Sequence, residues 1–326
     1  MNDINGLGYK KTGRGNCVPV TMNLPMLAIP YGICQGKRTE PDLDGFWKAL
    51  DDLLDLAKKA LVDRFNYVCS QDVRAASFMY LNGTCVDFDK ARENGIYETM
   101  KHFSLNFGYI GLAETCIALF GKHHGEDEEV YKFADSVLQH IYDYAAKAKE
   151  ELGLNFVVYS TPAEASCKTL CEKIVDMYGE IEGITDKGFL TNSCHIPVYH
   201  EITIKKKIDL EAPLCWYSTG GAITYVELES SAMTNQQALE AIVDYAMEKD
   251  VPYFAINFPI DTCLECGFSG EIEGDCPVCG SSDIERLRRV TGYLTTDYMH
   301  FNEGKIKEVE MRYKHSKKGF GDNESN

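Results

Sequence analysis

Four cysteines toward the C-terminal end have the spacing of a metal site. Cys263 and Cys266 are followed, nine residues later, by Cys276 and Cys279, and a glycine comes after each pair. A CxxC turn sets two thiolates side by side, and the glycine frees the backbone to wrap an ion. Two such turns close a tetrahedral four-sulfur set that suits structural Zn2+. An iron–sulfur cluster and a pair of disulfides are the competing readings. Other chemistry-bearing residues lie upstream. Thr161, Pro162 and Glu164 have the pattern of a helix cap, a first helical residue and a capping-box acid. With Ser160, Ala163 and Ser166 they would place free amides at a strand end, an anion site fitted to a substrate phosphate. Asn192, Ser193 and His195 form a polar cluster that either lines an active site or folds as a turn bonded to its own backbone. Cys167 and Cys171 share a helical face and read as buried thiols, with redox pairing as the rival. His123 and His124, beside an acidic run, read as a solvated loop. Gly292, between Thr291 and Tyr293, is on its own a turn glycine.

The elements that must hold these residues follow from periodicity. Leu43 to Leu61 and Glu128 to Leu152 carry apolar stripes at helical spacing, the second opening on acidic residues that suit a helix N-terminus. Val18 to Ile29 reads as extended. Phe156 to Tyr159, Ile223 to Leu228 and Tyr253 to Phe258 read as strands, and 162–178 and 236–248 as helices. Strands alternating with helices imply an α/β fold with a parallel sheet or barrel and chemistry at the strand C-terminal ends. Periodicity stops after Phe258. The expected division is therefore 1–258, a metal-binding module at 259–285, and a loop and tail at 286–326.

The chain has 326 residues and a net charge of −17, from 33 basic and 50 acidic residues. A surface this acidic repels phosphate backbones, so a nucleic-acid polymer is not an expected partner. There is no run of 18 apolar residues to span a membrane. The thirteen cysteines form no disulfide framework and no apolar leader precedes them, which implies a reducing, cytoplasmic setting.

Taken together, the motifs resemble class III anaerobic ribonucleoside-triphosphate reductases, which are glycyl-radical enzymes. After the cysteine pairs come Arg289-Val290-Thr291-Gly292-Tyr293 and Phe301-Asn302 with Gly304-Lys305. Upstream are Gly13-Arg14-Gly15-Asn16, Thr21 to Pro25, Asn106 to Glu114, Tyr159 to Glu164, and Leu190 to Val198. These segments follow the family order along nearly the whole chain.

The resemblance implies the second half of a glycyl-radical α/β barrel, followed by a zinc-ribbon-like module and a radical loop. It implies that Gly292 carries the radical, generated by a separate activating enzyme that uses S-adenosylmethionine and an iron–sulfur cluster. The implied reaction reduces ribonucleoside triphosphates to 2′-deoxyribonucleoside triphosphates. The family's thiyl cysteine precedes the Gly-Arg-Gly-Asn segment and has no counterpart here, and Cys17 reads as a packed thiol. The chain is therefore expected to be a C-terminal half that needs the N-terminal half, or a full-length homodimer partner. A non-catalytic donor of a radical segment, an inactive fragment and a pyruvate formate-lyase-like enzyme are the rivals. The tail from Arg286 to Lys318 has nine basic and four acidic residues; it either neutralises the acidic barrel internally or reaches the activating enzyme, with Lys305 and Lys307 then facing that partner.

Overall fold

The computed structural model describes residues 2–290 and 292–315. In chain order the strands are β1 (Asn16–Asn23), β2 (Ser104–Ile110), β3 (Asn155–Ser160), β4 (Thr224–Glu227), β5 (Phe254–Asn257), β6 (Ile260–Cys263), β7 (Ser269–Gly270), β8 (Ile284–Val290) and β9 (Tyr293–Thr295). The helices are α1 (Leu24–Ala28), α2 (Leu43–Cys69), α3 (Ser77–Leu81), α4 (Phe88–Asn94), α5 (Tyr97–Met100), α6 (Leu112–Phe120), α7 (Glu128–Leu152), α8 (Ser166–Tyr178), α9 (Ile204–Cys215), α10 (Gln236–Glu248) and α11 (Glu303–Glu310).

The long helices form where the apolar stripes predict them. Asp42 caps α2 by accepting from the Gly45 amide, and Asp127 caps α7 by accepting from Glu129 and Val130. Helix α7 ends at Gly153, whose φ of 64° is left-handed and suits glycine. Helix α2 packs on β1 and β2, and α7 on β3. Phe46 and Trp47 of α2 meet Phe133 of α7 at ring separations of 5.7 and 5.6 Å, while Phe107 of β2 stacks on Phe156 of β3 at 5.6 Å.

Strands β1, β2 and β3 form a parallel sheet in that order, and β4 and β5 a separate parallel pair. All seven residues of β2 are buried. The expected alternation is thus realised as two parallel sheets, and the described residues form no closed barrel. The segment after Ser218 extends the first sheet: Gly220 donates to the Val158 carbonyl and Ser160 to that of Gly221. The pair β4–β5 packs with α9 and α10 around Ile204, Ile208, Val226 and Ile242. Strands β7, β6, β8 and β9 form an antiparallel sheet in that order. Strand β8 crosses residues 285 and 286 without a break, so the cysteine module and the following loop share a strand.

Two local expectations are corrected. The extended segment ends at Asn23, where the Asn23 side chain accepts from Met26 and Pro25 supplies a good early helical residue for α1. Helix α8 starts at Ser166 rather than Pro162, and Ala165 precedes it without a side-chain cap. Thr161 fails to cap because its hydroxyl is 3.1 Å from the Thr21 hydroxyl across the sheet. That contact passes over Gly108 of β2, where a Cβ would overlap Thr161 Oγ1 and come within 2.9 Å of Thr21 Oγ1. Gly108→Ala should therefore cost about 1–3 kcal/mol, measured by urea unfolding; a change within about 0.5 kcal/mol would show that the threonine bridge is dispensable.

Candidate functional site

The C-terminal ends of β1, β2 and β3 converge on the turns predicted to do chemistry. Ser160 ends β3, and its hydroxyl lies 3.0 Å from that of Tyr109 and 2.7 Å from that of Ser218. Ser166 donates to the Ala163 carbonyl at 2.8 Å, and Ala163 is buried. The hydroxyls of Ser160, Thr161 and Ser166 are therefore engaged within the protein.

Glu164 points elsewhere, toward Gly292. A Cβ built on Gly292 would overlap Glu164 Oε1, and burial together with the Glu164 charge pushes the neighbouring Tyr293 hydroxyl up. Gly292 lies between β8 and β9, where Val290 pairs with Tyr293. The hairpin thus sets an unsubstituted Cα against the β3–α8 turn. Glu164 can swing aside as the end of a flexible side chain, so the glycine is suited to this approach without being needed to fold the hairpin.

The 191–195 cluster is a turn fastened to the start of α6. Glu114 accepts from the Thr191 amide and hydroxyl at 2.9 and 2.6 Å. The Gly111 and Leu112 amides donate to the carbonyls of Thr191 and Ser193. Burial pushes the Glu114 carboxyl up, against the Thr191 bonds that favour its charged form. Ser193 has a left-handed φ of 36°, so the turn holds a side chain in a sparsely populated backbone region. Asn192 Oδ1 accepts from the Cys167 thiol at 3.2 Å. His195 faces Glu211 at 3.2 Å, and Lys207 closes an ion pair on the same fully buried carboxylate. Burial opposes the Glu211 charge, but Lys207 and His195 outweigh it and hold the carboxyl far below its usual range.

Cys167 and Cys171 are buried, as their shared helical face implied, and do not pair: Cys171 donates to the Thr185 carbonyl, and Cys167 contacts Lys305 at 3.4 Å. Two features were not visible in sequence. Lys305 is fully buried and ion-paired to Glu308 at 2.6 Å, which corrects the expectation that it faces a partner; Lys307 is exposed. His123 and His124 are buried, which corrects the solvated-loop expectation. Ligand atoms of His123, Glu126 and His200 lie within 4.8 Å of one another. The Gly125 amide, however, donates to His123 Nδ1 at 3.0 Å, so the neutral ring carries its proton on Nε2, 3.2 Å from His200 Nδ1. That proton makes the group a hydrogen-bonded imidazole pair rather than an open donor set.

The four module cysteines come together. Their ligand atoms lie within 4.8 Å of one another, with Cys263 and Cys279 at 3.5 Å and Cys266 and Cys276 at 3.6 Å. A tetrahedron with metal–sulfur bonds of about 2.3 Å has edges of about 3.8 Å, so the set fits a zinc-sized ion. Gly267 and Gly280 donate back to the Cys263 and Cys276 carbonyls at left-handed φ of 74° and 75°. These are the tight turns that the spacing implied. Among the described residues no helix is long and apolar enough to cross a membrane.

The fold and site together define an α/β protein in which a cysteine module delivers a glycine to a parallel sheet's strand ends. Solved structures with this fold are anaerobic ribonucleotide reductases. That of Thermotoga maritima in complex with dATP and CTP superposes with a TM-score of 0.68 at 24% identity, covering 94% of this chain and 46% of that one. The sequence specifies the family. Residues 2–315 match the anaerobic ribonucleoside-triphosphate reductases, and the chain belongs to that family. It is 38% identical to the Salmonella typhimurium enzyme over 315 residues, covering 93% of this chain and 43% of that enzyme. To the phage T4 enzyme it is 33% identical over 314 residues, covering 93% and 49%. The chain thus spans about half the length of these relatives.

Metal analysis of the purified chain should return about one zinc per chain, and Cys276→Ser should remove it; iron, or a folded metal-free protein, would contradict the fit. Burial also holds His124 and His315 down to about 3. They stay neutral when folded but take up a proton in the unfolded chain below about pH 6.5. Stability should therefore be fully present above pH 7 and fall as pH drops, by roughly 2 kcal/mol per histidine at pH 5. Urea titrations at pH 7.5 and 5 measure this, and His124→Gln should flatten the difference.

Proposed function

We propose that this chain is the radical-bearing C-terminal portion of an anaerobic ribonucleoside-triphosphate reductase, replacing the ribose 2′-hydroxyl with hydrogen. The observation that carries the reading is Gly292 seated against the β3–α8 turn, in a chain whose residues 2–315 belong to the reductase family. The radical, formed by a separate S-adenosylmethionine-dependent activating enzyme, supplies hydrogen-atom abstraction chemistry. Gly292 suits this role because its Cα–H is unhindered and lies between two amide groups that delocalise an unpaired electron.

The surrounding residues orient the loop. Glu164 faces its tip at the strand ends, and the cysteine module braces β8, which leads into it. We assign residues 1–258 to the barrel portion, 259–285 to the zinc module and 286–326 to the radical loop and tail. We assign substrate phosphates to the backbone of residues 160–166, since the Ser160, Thr161 and Ser166 hydroxyls are internally bonded and the Glu164 carboxylate would repel phosphate. We assign Asn192, Ser193 and His195, on the turn fastened to α6, to the lining of the active site. The cysteine that abstracts the substrate hydrogen belongs to the N-terminal portion of the family's longer chains, so catalysis requires that portion.

Anaerobic activation should give an organic-radical EPR doublet that narrows when the protein is grown on α-deuterated glycine. Gly292→Ala should abolish the doublet while shifting the melting temperature by only a few degrees, because Glu164 can move aside. An undiminished doublet in Gly292→Ala would refute the assignment.

A further inference from the structure

Thirteen cysteines were scattered along the sequence without an evident pairing outside the zinc module, and the fold brings two of the remaining nine together. Cys194 follows the strained Ser193 in the 191–195 turn, and Cys215 is the last residue of α9. Their sulfurs are 3.9 Å apart, and both residues are at most 1% exposed. Nothing in the proposed reaction uses them.

The surroundings of the pair are polar. Cys194 Sγ lies 3.9 Å from the Ser160 hydroxyl, and Cys215 Sγ lies 3.6 Å from the Thr224 hydroxyl. Ser160 in turn belongs to the Tyr109–Ser160–Ser218 hydroxyl network. The pair therefore sits in a polar lining, in contrast to Cys116, whose burial drives its thiol far up. The Cys215 thiol donating to Cys194, together with His195 nearby, pulls the Cys194 thiol below its usual range against the opposing effect of burial. A thiolate beside a thiol is the reactive arrangement for sulfur oxidation.

Access comes from one side. An open cleft of about 690 Å³ is lined by Cys215 with Trp216, Ser218, Gly220 and Gly221. The cleft runs past residue Cys215, and the low exposure of both residues keeps out the thiol of another protein.

We propose that Cys194 and Cys215 form a redox-active dithiol that hydrogen peroxide converts to a reversible disulfide. In the first step one thiol takes an oxygen atom from peroxide to become a sulfenic acid, and one water leaves. In the second the other thiol attacks that sulfur, the S–S bond forms, and a second water leaves. Two electrons pass from the sulfurs to peroxide, and a small dithiol reductant returns them. Closing the bond ties the 191–195 turn to the end of α9 and draws Cys194 away from Ser160. Oxidation thus acts on the wall of the candidate site itself.

The test needs neither the radical nor the substrate, so it succeeds or fails independently of the proposed reaction. The whole chain is treated with hydrogen peroxide, alkylated, and digested with trypsin without reduction. Cys194 is the only cysteine in peptide 188–205, and Cys215 the only one in peptide 208–249. The expected product is these two peptides joined, at about 2 Da less than the sum of their thiol forms, and released by dithiothreitol. Cys215→Ser should abolish the joined species and leave Cys194 trapped by a sulfenic-acid reagent. The proposal is overturned if both peptides are recovered fully alkylated after treatment, or if either cysteine joins a different partner. Circular dichroism of Cys215→Ser separates loss of the bond from loss of the fold, and Cys116→Ser should leave the joined species unchanged.

Discussion

The structure depends on the complete burial of β2. Every residue from Ser104 to Ile110 is shielded, with β1 and β3 pairing on either side. A parallel strand buried on both faces must be covered; α2 packs against it, and Tyr144 of α7 meets Phe107 edge-on at 5.7 Å. The polar residues of β2 are handled one by one. Ser104 donates to Asn16 at 2.7 Å. Gly108 has no side chain, which lets Thr21 and Thr161 meet above it. The side-chain amide of Asn106 finds no hydrogen-bond partner among the described residues. The strand therefore fixes where β1 and β3 end, and so where the candidate site lies.

Around that sheet, buried charge is placed in compensated groups. Glu211 is held by Lys207 and His195, and Glu308 by Lys305 and Arg312. Such groups contribute little net stability, but removing one member leaves an uncompensated charge in the interior and is costly. Their effect here is positional. Glu211 also accepts from the Ile196 amide at 2.9 Å, which anchors the 191–195 turn. Lys305 joins α11 to Cys167 on α8 and so brings the segment after the hairpin back against the core. The Tyr313 amide and the His315 ring complete that return at Val198 and Glu227.

Much of this was readable from sequence, for identifiable reasons. Helices α2 and α7 announce themselves because long amphipathic stripes with acidic caps have few other solutions. The zinc-fitting module is legible because ligand type, spacing and glycine placement all act within a few residues. The start of α8 departs from its local pattern: Thr161 and Glu164 match a capping box locally, yet the hydroxyl of one is taken by Thr21 and the carboxylate of the other faces the Gly292 loop. His123 and His124 look like loop residues until packing buries them.

The sequence by itself determined the element types, the module's ligand set and, through motif order, the family. These are properties of short segments, set by periodicity, turn chemistry and side-chain type. Only the tertiary structure decided that Glu164 faces Gly292, that Lys305 is internal, and that Cys194 meets Cys215 across 21 residues. Each of those pairings joins residues from different elements. Their distances follow from how the sheets and helices pack, which no local pattern specifies.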